Sequence, residues 1–128
     1  LRTGLLKYSN AGHEHPILIR RGRAPEWFEL PPGFVLGVME DSVFETRETT
    51  LEAGDTIVVY TDGVTEAVGD GGAMYSEDRL MAQVATTASL PPKQLTGKIF
   101  DAVTRHAAGV TQSDDITVLV MTYRGAAP

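Results

Sequence analysis

The chain has 128 residues, 42% of them hydrophobic, and a formal net charge of −6. That length fits one domain or part of one, with enough apolar material for a core. The acidic balance argues against nucleic acid or an anionic membrane as the main partner, because both call for a basic surface. There is no cysteine, which excludes a disulfide framework, a thiolate zinc site and a cysteine nucleophile. No apolar run approaches the roughly 18 residues of a membrane helix, and the opening "LRTGLLKYSN" has no long apolar core of a secretory leader. The cytoplasm is the expected compartment.

In chain order, "GLLKYSNAGHEHPILIRRG" predicts a hairpin. Leu5, Leu6 and Tyr8 lead into a polar turn over residues 9–13, and "PILIRR" runs back to Gly22. "APEWFELPPGFVLGVM" is rich in proline and glycine and reads as loop with short extended pieces, ending in a small strand near Val35 to Met39. Alternation in "SVFETRETT" predicts a strand, and Gly54-Asp55 a turn. Thr56 to Tyr60, "TIVVY", is the cleanest strand, of the kind buried on both faces. Ser76 is placed to cap a helix carrying Leu80, Met81, Val84 and Ala85, with Glu77 and Asp78 at its positive end. A second helix opens at Pro91-Pro92, repeats Leu95, Ile99, Val103 and Ala107 every four residues, and stops near Gly109. A last strand is expected over Ile116 to Tyr123. Strands, then two helices, then a strand predict an α+β fold, with helices on one face of a mainly antiparallel sheet.

The chemistry concentrates in acids at strand ends. Asp62-Gly63 follows the buried strand directly, and Asp114-Asp115 stands directly before "ITVLVMTY". Antiparallel neighbours would bring these carboxylates to one sheet edge. Clustered carboxylates repel unless a cation sits between them, and hard divalent cations take such oxygen ligands. A metal held this way can deliver an activated water to a phosphoryl group. The competing reading is structural: Asp-Gly is a strong turn signal, and an acid before a strand is ordinary turn chemistry. An aspartyl-phosphate mechanism would need a second acid two residues before Asp62, where the chain has Tyr60.

The blocks "SNAGHEHPILI", "GFVLGV", "LEAGDTIVVYTDGVTEA" and "SDDITVLVM" resemble, in order and approximate spacing, the SpoIIE/RsbU-type bacterial phosphatases of the metal-dependent protein phosphatase (PPM) superfamily. The resemblance implies an α-β-β-α sandwich with a binuclear Mn²⁺ or Mg²⁺ site between two sheet edges. It implies hydrolysis of phosphoserine or phosphothreonine in a protein, typically a phosphorylated anti-sigma-factor antagonist of STAS fold. Carried over, Asp62 and Asp114 are the metal-ligand and catalytic positions, and Asp115, in a place often held by Asn, joins them as an expected metal-site residue. Gly63 would permit close backbone approach. The "NAGH" turn resembles the hairpin that nears the metals, where His13 is either a helper of substrate or water or a surface histidine. Asn10 and Gly12 shape that turn, Glu66 is a solvated or supporting acid, and His15 and His106 receive no role. The family's first ligand aspartate, in an Asp-x-x-Gly-His-Gly-like segment, has no counterpart among residues 1–128. The expectation is therefore the C-terminal portion of one such domain, with an incomplete metal shell and an exposed sheet face and edge that favour homodimerisation. The runner-up is a degenerate module that binds a phosphoprotein without turnover.

Overall fold

The structure, a computed structural model, describes residues 3–111 and 114–126. Six strands and three helices follow one another as β1 (Leu5–Tyr8), β2 (Ile17–Ile19), β3 (Glu26–Trp27), β4 (Arg47–Thr50), β5 (Thr56–Tyr60), α1 (Asp62–Thr65), α2 (Glu77–Thr87), α3 (Pro92–His106) and β6 (Val118–Thr122). They form a four-stranded sheet of order β3-β2-β5-β6 and a two-stranded sheet β1-β4, every pairing antiparallel.

The β-branched run of β5 explains its central place. Ile57, Val58 and Tyr60 are buried, and β5 is hydrogen-bonded to β2 on one side and β6 on the other. Ile17, Ile19, Val58 and Tyr60 share one face of the sheet and meet Leu80 and Val84 of α2 and Leu95, Ile99 and Val103 of α3. The four-residue repeat along α3 puts its apolar side chains on that single stripe. On the other face, Leu18 and Ile57 join Phe28 and Leu51 in a second cluster, which the two-stranded sheet covers through Leu6 and Tyr8. The described residues thus stack as helices, sheet and sheet, the α+β arrangement expected and three layers of the four-layer sandwich.

Several expectations are corrected. The first two strands do not form a hairpin. β1 pairs with β4, and β2 pairs with β3 and β5. The reason lies in their patterns: β2 is buried at all three residues and belongs in a sheet interior, whereas β1 alternates exposed and half-buried and suits an outer ribbon. Residues 35–39 are not a strand. Gly37 and Asp41 both take positive φ, at 84° and 63°, and the segment turns there with its apolar side chains exposed. The strand expected in "SVFETRETT" is confined to Arg47–Thr50. Ser76 does occupy the N-cap position of α2, but its hydroxyl makes no capping bond. Its φ is 73°, and its amide is drawn to the Thr65 carbonyl oxygen at 2.7 Å. Asp62-Gly63 is not a hairpin turn either; it opens the single helical turn α1.

Candidate functional site

The last residues of β5 and the first of β6 lie side by side, with Tyr60 opposite Val118. Thr61 extends the pairing beyond the strand. Its amide donates to the Thr117 carbonyl oxygen at 3.1 Å, its hydroxyl donates to the Asp115 carbonyl oxygen at 2.9 Å, and the same hydroxyl accepts from the Thr117 amide at 3.0 Å. One threonine thereby clamps the segment carrying Asp114-Asp115 against the segment carrying Asp62-Gly63.

Gly63 completes the approach. A Cβ at this position would stand 2.5 Å from the Asp115 carbonyl oxygen and 3.4 Å from the Asp114 carbonyl carbon. No side chain larger than hydrogen fits without displacing that backbone. The two acidic segments are therefore backbone neighbours. All three carboxylates are on exposed residues. Asp62 Oδ1 accepts from the Gly63 amide at 2.9 Å and Asp114 Oδ1 from the Asp115 amide at 2.7 Å, both purely local bonds. No Lys, Arg or His neutralises any of the three among the described ion pairs.

The turn over residues 9–14 lies at the same end of the sheet, because β2 runs antiparallel to β5 and Ile17 faces Val58. Asn10 shapes it as expected: its side-chain oxygen accepts from the amides of Gly12 and His13 at 3.1 and 2.9 Å. Gly12, at φ 87°, packs against Val35. The His13 side chain is exposed, and its Nδ1 meets the carbonyl oxygen of Glu14 at 3.0 Å. Glu66 is exposed just beyond α1. It shares with Glu14, Glu77 and Asp78 the wall of an open cavity of about 390 Å³. Sequence reading assigned Glu77 and Asp78 to the helix dipole alone; nothing local signals that the fold brings them to Glu14.

Two further residues gain an explanation. Tyr60, in the slot an aspartyl-phosphate enzyme would fill with a nucleophile, is a core residue whose hydroxyl has no partner. Burial raises its pKa, and the negative charges of Glu77 and Glu14 push it further up. His106 is a structural pin. Its Nδ1 accepts from the Arg79 guanidinium at 2.7 Å and its Nε2 meets the Ala73 carbonyl oxygen at 2.8 Å, an arrangement that requires the Nε2–H tautomer. The ring also stands edge-on to Tyr75. It holds the loop between α1 and α2 against the end of α3.

Among the described residues, no three His, Cys, Asp or Glu side chains come together as a metal cage. The carboxylates of Asp62, Asp114 and Asp115 have the hard-oxygen chemistry that suits Mn²⁺ or Mg²⁺.

The same architecture recurs in the solved RsbU and RsbW domains of Rv1364c from Mycobacterium tuberculosis. That structure superposes with a TM-score of 0.74 at 26% identity, over 98% of this chain and 34% of that one. The chain belongs to the SpoIIE family (stage II sporulation protein E), whose profile matches residues 1–124. Among curated relatives, Protein IcfG of Synechocystis sp. is 31% identical over 125 residues, which is 97% of this chain and 19% of that protein. Phosphoserine phosphatase RsbU of Bacillus subtilis is 28% identical over 115 residues, 89% of this chain and 33% of that protein. The chain thus spans a third or less of the length of these two curated relatives.

Proposed function

We propose that residues 1–128 are the C-terminal portion of a metal-dependent protein serine/threonine phosphatase domain, with Asp62 and Asp114 as carboxylate ligands of Mn²⁺ or Mg²⁺. Asp115 stands beside them as a further oxygen donor. A divalent cation there would supply an activated water and neutralise charge on the phosphoryl oxygens. The chain's own part is to hold the two ligand segments at a fixed separation, through the Thr61 clamp and the bare Cα of Gly63, and to leave the carboxylates open to solvent. His13 sits on the neighbouring turn as a helper for substrate or water. The substrate is a phosphoserine or phosphothreonine in a protein, and a STAS-type anti-sigma-factor antagonist is the class proposed, in keeping with the relatedness to RsbU. No described helix is long and apolar enough to cross a membrane. Cytoplasmic action on a protein substrate is proposed with no part for nucleic acid.

The observation that carries this reading is the backbone contact of Gly63 with Asp114-Asp115. It is a costly approach to build for an ordinary surface turn, and it sets three carboxylates at one sheet end. The unpaired edge of β6, with Leu119 and Met121 half exposed, is the surface proposed for homodimerisation of the isolated chain.

The test is hydrolysis of p-nitrophenyl phosphate with Mn²⁺. The chain as given is expected to be inactive, and a version extended upstream to include a further ligand aspartate is expected to turn over. Asp62→Asn or Asp114→Asn in the extended protein should lower kcat by at least about a hundredfold. Full activity in either variant would overturn the assignment. The alternative is a non-catalytic module that captures a phosphoprotein. That reading predicts phosphoprotein binding with no turnover even in the extended version.

A further inference from the structure

We propose that the arginine turn after β2, together with the connection between α2 and α3, forms a second ligand site, for a phosphate monoester dianion, at the end of the sheet opposite Asp62 and Asp114. A cleft of about 520 Å³ opens there between Arg20, Arg21 and Arg23 on one side and Leu90, Pro91 and Pro92 on the other. In a chain of net charge −6, no acidic side chain lines it. Glu52 and Asp55 share a neighbouring cavity with the same three arginines, and Arg20 is paired with Asp55 and Glu26, so the charge left to face the cleft is that of Arg21 and Arg23.

The turn is also held in place from behind. Buried Asp55 takes the Arg20 guanidinium at 3.0 Å and the Arg21 amide at 3.2 Å. This consumes the charge of Arg20 and fixes the backbone of the turn. The guanidinium groups of Arg21 and Arg23 have no carboxylate among the described ion pairs. The stem of Arg21 lies over Gly54, where a Cβ would come 3.3 Å from Arg21 Cδ. A side chain there would crowd the stem, and φ is +102° besides, so glycine satisfies both demands.

Across the cleft, the 15-residue helix α3 begins at Pro92, and the positive end of its dipole adds to the field. Ser89 contributes a hydroxyl to the lining. Two unpaired guanidinium groups match a doubly charged phosphoryl group in charge and in forked geometry. Leu90 and the two prolines form an apolar wall suited to the organic part of the ester.

The carrier of the phosphate is a phosphorylated protein segment or a small organic phosphate; the recognition chemistry is the same. The test follows backbone amide shifts of the isotope-labelled chain in chelator, so that nothing at Asp62 and Asp114 can take up phosphate through a divalent ion. Four probes are titrated: a short uncharged peptide with one phosphoserine, its unphosphorylated twin, ribose 5-phosphate and inorganic phosphate. Expected are shifts at residues 20–23 and 88–93 with the phosphopeptide, none with the twin, and weakening as NaCl rises. The double variant Arg21→Gln/Arg23→Gln should bind at least about tenfold more weakly, and the corresponding double lysine variant should recover part of the loss. An equal response to ribose 5-phosphate shows that the group is read whatever carries it, and a response to the peptide alone assigns a protein-borne source. Shifts confined elsewhere, or unchanged affinity in the double glutamine variant, overturn the proposal.

Discussion

Strand β5 is bracketed by two aspartates, each beside a glycine, and the two could hardly differ more. Asp55, just before the strand, is 2% exposed. Its carboxylate accepts from the Arg20 guanidinium at 3.0 Å, the Arg21 amide at 3.2 Å and the Glu52 amide at 3.0 Å. Asp62, just after the strand, is exposed and accepts only from its neighbour's amide. A carboxylate that is buried and saturated with donors has no capacity left for a ligand, and its service is to the fold. An exposed carboxylate with one local bond keeps its oxygens free for a ligand. Identical residues on one strand are separated in role by burial and partners, and not by their immediate neighbours in sequence.

The sharpest way to break this contrast is to remove each carboxylate in turn. Asp55→Ala strands the Arg20 guanidinium and two amides, and should cost about 3 kcal/mol or more. Asp62→Ala should change stability by no more than about 0.5 kcal/mol in metal-free buffer. Chemical denaturation of both variants checks the difference. Equal losses would show that Asp62 is as structural as Asp55, which would remove it from the site.

Gly63→Ala attacks the juxtaposition itself. The new methyl would lie 2.5 Å from the Asp115 carbonyl oxygen, so α1 or the 114–115 segment must shift. Overpacking of this kind costs about 1–3 kcal/mol. Amide shifts should move at Thr61, Asp115 and Thr117, which the threonine clamp links, and barely at the Asp55 end. A silent substitution would show that the two segments separate freely and are not held for a common ligand.

The strand and helix cores were legible because their signals are local and strong. The β-branched run of Thr56–Tyr60 and the four-residue repeat from Leu95 to Ala107 needed no tertiary information. The neighbouring ends of β5 and β6 could be anticipated because each carries an acid at the boundary of an apolar run. What failed was pairing. Leu5–Tyr8 and Ile17–Ile19 look like two arms of a hairpin, but their burial needs differ and send them to different sheets. The apolar segment 35–39 looks like a strand until the positive φ of Gly37 and Asp41 turns it aside. Of the candidate site, the aspartates stand out in the sequence, but Thr61 does not, because its hydroxyl works across 54 residues of chain. Asp55 passed for a turn residue, since nothing beside it announces that Arg20 will come to meet it from 35 residues away.

Tyr60 sharpens the comparison with the smallest change. Like Asp55 it is a buried polar group on the β5 segment, but its hydroxyl is unsatisfied. An unpartnered buried hydroxyl costs on the order of 1–3 kcal/mol, so Tyr60→Phe should stabilise the chain by about 1 kcal/mol, after allowance for the small void it leaves. The pH dependence carries a second signature. Burial raises the pKa of Tyr60, with Glu77 and Glu14 adding to the shift. Its contribution to stability is complete below the ordinary tyrosine pKa of about 10. Above that, the unfolded phenol ionises while the folded one keeps its proton, so stability falls as pH rises. In the phenylalanine variant this part of the alkaline loss disappears, and stability plotted against pH should fall less steeply above about pH 10. A variant that is less stable at neutral pH and has an unchanged alkaline limb would mean that the hydroxyl is hydrogen-bonded after all. In that case the acidic end of the sheet would contain a satisfied buried polar group of the same kind as Asp55.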